Sequence, residues 1–353
     1  MRYFCLVKQK TIINGFVQLG KLMRALGSNE TWSDFSTGLT ATEYEEFNNL
    51  IQSQHHSNGW FTEDNVRKSF GALGDQLSES SLNKWVAQYN FTEKPKTVGI
   101  IMAGNIPLVG FHDFLCVVCS GNRALCKLSS IDKIMLPALT RYLIQFVPSL
   151  SERIMFTDAR MPNLEAIIAT GSDNSHQYFE HYFGKYPHVF RKNRTSIAVL
   201  NGYESETDLK LLGDDVFSYF GLGCRNVSHL LLPKGYNLDL FFGAIMDHSG
   251  VIENNKYANN YDYNKAVYLM NLHNLLDNNF VLLRESDELF SPLSMLHYHY
   301  YDDATDIAAY LTKHSEDLQA IVGSDYLAYG EAQRPGLDDY ADGIDIMDWL
   351  SNL

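Results

Sequence analysis

The sequence predicts an α/β protein, with mostly parallel sheets covered by helices in two interlocked domains and a helical segment at the N-terminus. Three observations predict it. From Val98 onward, apolar runs of strand length alternate with helical patterns, the signature of parallel strands joined by crossover helices. The chain has 353 residues, 45% of them hydrophobic, which exceeds the size at which a single core stops growing. From Lys10 to about Tyr89 the period is helical instead, with Ile13, Phe16, Val17, Leu19, Leu22, Met23 and Leu26 repeating near 3.6.

In the helical segment, Thr42 followed by Glu45 has the spacing of a capping box for the helix that carries Phe47, Leu50 and Ile51. After Pro95, the run Val98, Ile100, Ile101, Met102 reads as a buried strand ending at Gly104-Asn105-Ile106-Pro107, and a strand-to-loop exit is where α/β proteins put chemistry. An apolar helix from about Leu108 to Cys119, the turn Ser120-Gly121-Asn122 and a strand from Arg123 to Lys127 follow. A helix opening at Asp132, a strand near Ile154, a strand from Ala166 to Ala169 and a helix from Ser172, its N-cap, to about Phe183 continue the alternation. The strand Ser196 to Leu200 begins a second block, with a helix from about Thr207 to Phe220, the turn Gly221-Leu222-Gly223-Cys224, a strand His229 to Leu232, helices to about Leu272 and a strand Phe280 to Leu283. Past Leu293, a strand, a helix from Ala304 to about Thr312 and a strand near Ile321 are expected to return the chain to the first sheet. The acidic, aromatic stretch from Gly336 to Leu353 reads as a tail that docks.

Charge and cysteine usage narrow the function. With 42 acidic against 28 basic side chains the formal charge is −14, a field that repels nucleic-acid phosphates and anionic lipid, so neither polynucleotides nor membrane surfaces are expected partners. Anionic cofactors and coenzyme A esters remain allowed, because a few local cations and backbone N–H groups suffice to hold them. Five cysteines, Cys5, Cys116, Cys119, Cys126 and Cys224, are odd in number and thinly spread, the pattern of a reducing compartment. No apolar stretch is long enough for a bilayer span, and the chain reads as cytoplasmic, which makes sequons such as Asn90-Phe91-Thr92 chance matches.

Cys224 is the candidate nucleophile. Two glycines release it from a helix, and Arg225 and Asn226 follow it, a setting of N–H groups and a cation that favours a thiolate. Lowering a thiol pKa from roughly 8.5 to 7 raises the thiolate fraction at neutral pH from a few per cent to about half. The alternative for any lone cysteine is a small buried hydrophobe. Cys116 and Cys119 form a C-x-x-C, but on an apolar helix without a second cysteine pair or histidines at ligand spacing, so no metal site is expected there. His55-His56 and His297-Tyr298-His299 read as surface or strand residues. No G-x-G-x-x-G is present: Gly221-Leu222-Gly223 lacks the third glycine and follows a helix.

Several segments nonetheless stand in one known order. Gly104-Asn105-Ile106-Pro107-Leu108, Ser120-Gly121-Asn122 with Lys127-Leu128-Ser129-Ser130, Ala169-Thr170-Gly171-Ser172, Gly221-Leu222-Gly223-Cys224 and Glu288-Leu289-Phe290-Ser291-Pro292 resemble successive motifs of the aldehyde dehydrogenase superfamily. Within it, Phe111-His112-Asp113-Phe114, Cys224-Arg225-Asn226-Val227-Ser228 and Tyr340-Ala341-Asp342-Gly343 resemble the LuxC-like acyl-CoA reductases, a likeness running from about Asn58 to the C-terminus. The resemblance implies an aldehyde-dehydrogenase-like fold, with residues 1–195 forming the helical part and a nicotinamide-cofactor domain completed by about 293–335, residues 196–292 a catalytic domain carrying Cys224, and residues 336–353 the docking tail. It implies Cys224 as nucleophile, and an oxyanion hole made by the Asn105 amide and the Cys224 backbone N–H. It further implies cofactor contacts at Lys127, Ser129, Thr170, Gly171, Ser172 and Glu288: Lys127 on the adenosine ribose, Glu288 on the nicotinamide-ribose hydroxyls. Each has a plainer alternative, Lys127 as a snorkelling strand end, Ser172 as an N-cap only and Glu288 as a solvated loop charge.

Where hydrolytic members carry Glu-Leu-Gly-Gly with a general base, this chain reads Arg191-Lys192-Asn193-Arg194. A thioacyl enzyme without a base to activate water persists long enough for hydride reduction. The missing base favours reduction over hydrolysis, and the resemblance implies the rest of the expected activity: NADPH-dependent reduction of a fatty acyl-CoA to the aldehyde, with NADH as the alternative cofactor, no metal, acyl-CoA as the partner and a homo-oligomer allowed. Two rivals stand beside it: a cysteine acyltransferase or thioesterase without hydride chemistry, and a non-catalytic scaffold of the same fold. Arg191, Lys192, Arg194 and Arg225 are candidates for phosphate contacts, or else a solvated basic patch.

Overall fold

Apolar stripes draw four helices together at the start of the chain: α1 (Arg2–Gly27), α2 (Ala41–Ser57), α3 (Glu63–Gln76) and α4 (Glu79–Val86). The computed structural model describes residues 2–33, 37–90, 94–171 and 173–353, with side chains from residue 9 onward except that of residue 173. Of the predicted stripe of α1, Ile13, Phe16, Leu19, Leu22, Met23 and Leu26 are buried, and Val17 is partly buried against the same core. The capping box of α2 is Thr40 with Glu43, each side chain bonding the other's backbone N–H. The expected Thr42–Glu45 pair lies inside the first turn, where the backbone N–H groups of a box are no longer at the helix end.

Next come β1 (Thr97–Ile101), α5 (Phe111–Cys119), β2 (Arg123–Lys127), α6 (Met135–Phe146), β3 (Ile154–Phe156), β4 (Ala166–Thr170), α7 (Asp173–Phe183) and β5 (His188–Arg191). Their strands form one all-parallel sheet in the order β3-β2-β1-β4-β5. The buried runs Val98 to Ile100, Ala124 to Cys126 and Ala166 to Ala169 are near-continuously apolar, as a sheet covered on both faces requires. The chain builds outward from β1 to β3, then crosses to β4 on the other side of β1. That reversal is a topological switch point, and its crevice lies at the carboxyl ends of β1 and β4.

The second block contains β6 (Thr195–Val199), α8 (Glu206–Phe217), β7 (Val227–Pro233), α9 (Leu238–Ala244), α10 (Asn255–Met270), β8 (Leu276–Asp277), β9 (Leu282–Glu285), β10 (Met295–Tyr301), α11 (Ala304–Lys313) and β11 (Leu318–Gly323). Its sheet has the order β11-β6-β7-β10-β9-β8, parallel except for the short antiparallel β8 at one edge. The chain thus divides into one unit of Met1–Lys192 with Pro335–Leu353 and another of Asn193–Arg334. This corrects the expected return of residues 293–335 to the first sheet: β10 pairs with β7 and β11 with β6, so the strands close the second sheet instead.

The last stretch belongs to the first unit and ends in α12 (Ile346–Ser351). Ile346, Met347 and Leu350 are buried in the same core as α1 and α5. Polar bonds fix its path: Trp85 Nε1 donates to Tyr340 Oη (2.8 Å), Tyr89 Oη donates to Asp345 (2.8 Å), and Arg191, ion-paired with buried Asp113, donates to the Ala341 carbonyl (2.8 Å). Arg191 thereby bridges the 111–114 and 340–343 segments singled out in the sequence, and the His112 and Tyr340 rings meet edge to face at 5.5 Å. No helix among the described residues is long and apolar enough to cross a membrane.

Candidate functional site

Asn105 is exposed in the loop that leaves β1. Around it, three elements hold the backbone. Asn58 Nδ2 donates to the Gly104 carbonyl (3.4 Å), Ser69 Oγ donates to the Pro107 carbonyl (2.9 Å), and Asp132 Oδ2 accepts the Leu108 N–H (3.0 Å). Leu108 sits at φ 59°, a left-handed backbone that costs a leucine about 1–2 kcal/mol and needs such support. Gly104 is required by close approach, since a Cβ there would lie 2.5 Å from Ser129 Oγ. Asp132 does not open a helix as expected; α6 begins three residues later, at Met135, and the carboxylate turns inward to the loop. Burial raises its pKa to about 6 against the lowering effect of the Leu108 bond, and its Oδ1 has no hydrogen-bond partner among the described residues.

Lys127 and Thr170 end β2 and β4, on the two strands that flank β1, and both are half-buried. Ser129 follows β2, and Gly171 follows β4 where a Cβ would lie 2.8 Å from Ser175 Cβ, so only glycine lets the strand end meet α7 this closely. Ser172 lies outside the described residues. The structure therefore brings Asn105, Lys127, Ser129, Thr170 and Gly171 to the carboxyl ends of the central strands β1, β2 and β4 of the first sheet, at its switch point.

Cys224 and Glu288 belong to the second unit. Among the four cysteines whose side chains are described, Cys224 alone is exposed, while Cys116, Cys119 and Cys126 are buried and burial pushes their thiol pKa values up. Cys116 and Cys119 of the C-x-x-C are both buried, and no group of three or more His, Cys, Asp or Glu side chains that could hold a metal ion occurs among the described residues. Helix α8 stops at Phe217 and passes into a short 3-10 segment in which Tyr219 (φ 53°), Phe220 (φ 59°) and Gly221 (φ 80°) are left-handed in succession. Two such non-glycine residues cost about 1–2 kcal/mol each.

Asn226 holds this segment. It is 2% exposed; its Nδ2 donates towards the Asp215, Val216 and Ser218 carbonyls (3.0, 3.2 and 2.8 Å), and its Oδ1 accepts the Gly223 N–H (2.8 Å). One buried amide thus satisfies carbonyls left over at the end of α8 and closes the turn that presents Cys224. From the far side, Ser196 Oγ donates to the Cys224 carbonyl (3.0 Å) and Arg225 Nε donates to the Ala332 carbonyl (2.7 Å). Asp215, fully buried, accepts the N–H groups of Gly330 (2.7 Å) and Ala332 (2.9 Å), and burial still raises its pKa to about 6. Arg191 and Arg225 are thus engaged structurally, Arg191 with Asp113 and Arg225 with a carbonyl, rather than forming a solvated basic patch.

Glu288 stands between β9 and β10 with an exposed carboxylate 3.4 Å from Arg284 Nη1, while its neighbour Leu289 is buried against Ile197 and Leu231. Asn226 appeared in the sequence only inside a motif, and Asp132 and Asp215 carried no signal as supports. A polar residue that works by burial is visible only once its burial is known.

Comparison of the backbone decides the fold. An indole-3-acetaldehyde dehydrogenase complexed with NAD+ superposes at a TM-score of 0.60 and 11% identity, covering 88% of this chain and 72% of that one. The chain has the aldehyde dehydrogenase fold. An NAD-dependent aldehyde dehydrogenase from Sinorhizobium meliloti superposes at 0.59 with 12% identity, covering 90% and 71%. A Mycobacterium tuberculosis aldehyde dehydrogenase complexed with NAD+ does so at 0.55 with 13% identity, covering 87% and 72%. No family model matches the chain, and no curated protein matches its sequence. At these identities the likeness is one of fold, as the sequence resemblance implied.

Proposed function

We propose that this protein is an acyl-CoA reductase of the LuxC-like type, working through a thioacyl group on Cys224 with a nicotinamide cofactor. The observation that carries the reading is an exposed cysteine, held out by a turn locked from within, on an aldehyde dehydrogenase fold. The Cys224 thiolate attacks the acyl-CoA carbonyl, the Asn105 amide and the Cys224 N–H donate to the oxyanion, and the intermediate collapses with loss of the CoA thiolate. A reduced nicotinamide, when bound, would supply the hydride that takes the acyl carbon to the aldehyde level. The alkoxide of the thiohemiacetal so formed on Cys224 re-forms its C=O bond and breaks the C–S bond, releasing aldehyde and restoring the thiolate.

The residues present fit such a cofactor. The strand order puts a switch point at β1 and β4, where doubly wound sheets bind nucleotides, and Gly104 and Gly171 let the loops there close on their neighbours. Lys127, Ser129, Thr170, Gly171 and Ser172 would hold the nucleotide there and Glu288 the nicotinamide ribose. NADPH is preferred over NADH on the sequence resemblance. The absence of a glutamate at Arg191-Lys192-Asn193-Arg194 supports reduction over hydrolysis, since Arg191 is committed to Asp113 and cannot serve as a base.

The test is NADPH oxidation across a series of acyl-CoA lengths. Wild type should show saturable oxidation, Cys224→Ala none, and Asn105→Ala a kcat lower by about 100- to 1,000-fold, the usual cost of an oxyanion donor. Acyl-CoA turnover that proceeds without NADPH would instead establish a thioesterase.

A further inference from the structure

Strands β7 and β10 are parallel neighbours, and their register pairs His229 with His297 directly. Parallel partners share a face, so the two imidazoles emerge side by side, edge to face at 6.3 Å between ring centres. Both are fully buried. Both also reach the same atom: His229 Nδ1 lies 3.2 Å and His297 Nδ1 2.9 Å from the backbone carbonyl oxygen of Glu288. A carbonyl oxygen only accepts, so each ring must carry its proton on Nδ1. Tyr310 of α11 completes the arrangement, its hydroxyl 3.2 Å from His229 Nε2 and 3.5 Å from its Nδ1; with the Nδ1 proton directed at the Glu288 carbonyl, the hydroxyl donates to Nε2. His297 Nε2, buried, has no hydrogen-bond partner among the described residues. Burial lowers the pKa of both rings, that of His229 to about 3, so they stay neutral at physiological pH. Around the same corner, His299 Nδ1 pairs with Asp287 (2.8 Å), and the Glu288 N–H donates to Ser286 Oγ (3.2 Å).

Two buried imidazoles spent on one loop carbonyl are more than chain closure needs, since a single donor satisfies a buried C=O. What the second donor adds is direction, because occupying both lone pairs fixes the plane of the peptide and with it the bearing of the residue. The residue so fixed has an outward, exposed carboxylate.

We propose that His229 and His297 are positioning residues that aim the Glu288 carboxylate at a vicinal diol, the ribose hydroxyls of the nicotinamide cofactor. The inference rests on Glu288 binding that ribose, as read above, and adds what holds it there. Loss of either Nδ1 donor lets the Glu288 peptide rotate, and the carboxylate then meets two hydroxyls with one good bond instead of two. Asparagine is the discriminating replacement, because its amide N–H stands near the position of imidazole Nδ1 while it omits the unpartnered Nε2. Glutamine reaches to the Nε2 position instead.

The experiment titrates NADPH fluorescence against His297→Ala, His297→Asn, His297→Gln and Glu288→Gln, with thermal unfolding of each. Expected are weaker NADPH binding for His297→Ala and His297→Gln by about tenfold, the worth of one net hydrogen bond, and recovery to within about threefold for His297→Asn. If Glu288→Gln weakens binding while His297→Ala binds like wild type, the inference is overturned and the reading of Glu288 stands. If Glu288→Gln binds like wild type, both fall. Should the alanine variant not fold, the wild-type protein still decides: nitrogen NMR of the two imidazoles at pH 7 must report neutral Nδ1–H tautomers, and an Nε2–H tautomer at either overturns the proposal.

Discussion

The loop of residues 104–108 is held by side chains from three separate parts of the first unit, whereas the turn of residues 218–226 in the second is held chiefly by one side chain. Asn58, Ser69 and Asp132 each make one bond to the Asn105 loop. Asn226 alone makes four bonds around the Cys224 turn. The difference follows the strain each contains: one left-handed leucine in the first, and Tyr219 and Phe220 in succession in the second. A donor amide needs only to be aimed, and small errors can be shared among several supports. A nucleophile on a strained turn needs its whole segment fixed, and a buried amide that bridges both ends of the turn does so.

The largest effect should come from Asn226→Ala. It leaves three carbonyls and the Gly223 N–H without their partner, and about 3–4 kcal/mol of stability should be lost in urea denaturation, with acylation of Cys224 abolished. A loss as small as that of a surface asparagine would mean the turn holds itself.

Next comes the pH dependence of Asp132. Its folded pKa is raised from 3.8 to about 6, so its contribution to stability is full below the unfolded value and is lost as pH rises through about 6. Asp132→Asn removes this loss while keeping an acceptor for Leu108. The stability of the variant relative to wild type should therefore improve by about 2 kcal/mol between pH 4 and pH 7, measured by denaturation at both. A difference that does not change with pH would show that the carboxyl titrates normally. The buried histidines work in the opposite sense: their lowered pKa values give stability that is present above the unfolded value of 6.5 and lost as pH falls below it.

The smallest effect is predicted for Ser69→Ala, about 1 kcal/mol of stability, because one of three supports is lost and the other two keep the loop. Its kcat should fall less than threefold. A drop as large as that of Asn105→Ala would sharpen the comparison against distributed support.

What could be read from the sequence follows the range of the forces involved. The strand at β1, the loop after it and the exposed Cys224 turn were legible because apolar runs and glycines act locally. The strand order was not, since nothing local says that β4 lies beside β1 or that β10 and β11 join β7 and β6. Thr42–Glu45 and Thr40–Glu43 have the same spacing, and only the helix start chooses between them. Asp132 reads as an N-cap by residue type, yet its carboxylate faces a loop 24 residues away in sequence. Tyr219 and Phe220 carry no turn chemistry at all; their left-handed backbone is imposed by the bonds of Asn226. His229 and His297 become a pair only through sheet register.

The most direct measurement is the intact mass of the protein after incubation with a long-chain acyl-CoA in the absence of NADPH. The account predicts one added acyl group, mapped to Cys224, missing from Cys224→Ala and discharged as aldehyde when NADPH is supplied. No added mass on the wild type, or the same mass on Cys224→Ala, would contradict it.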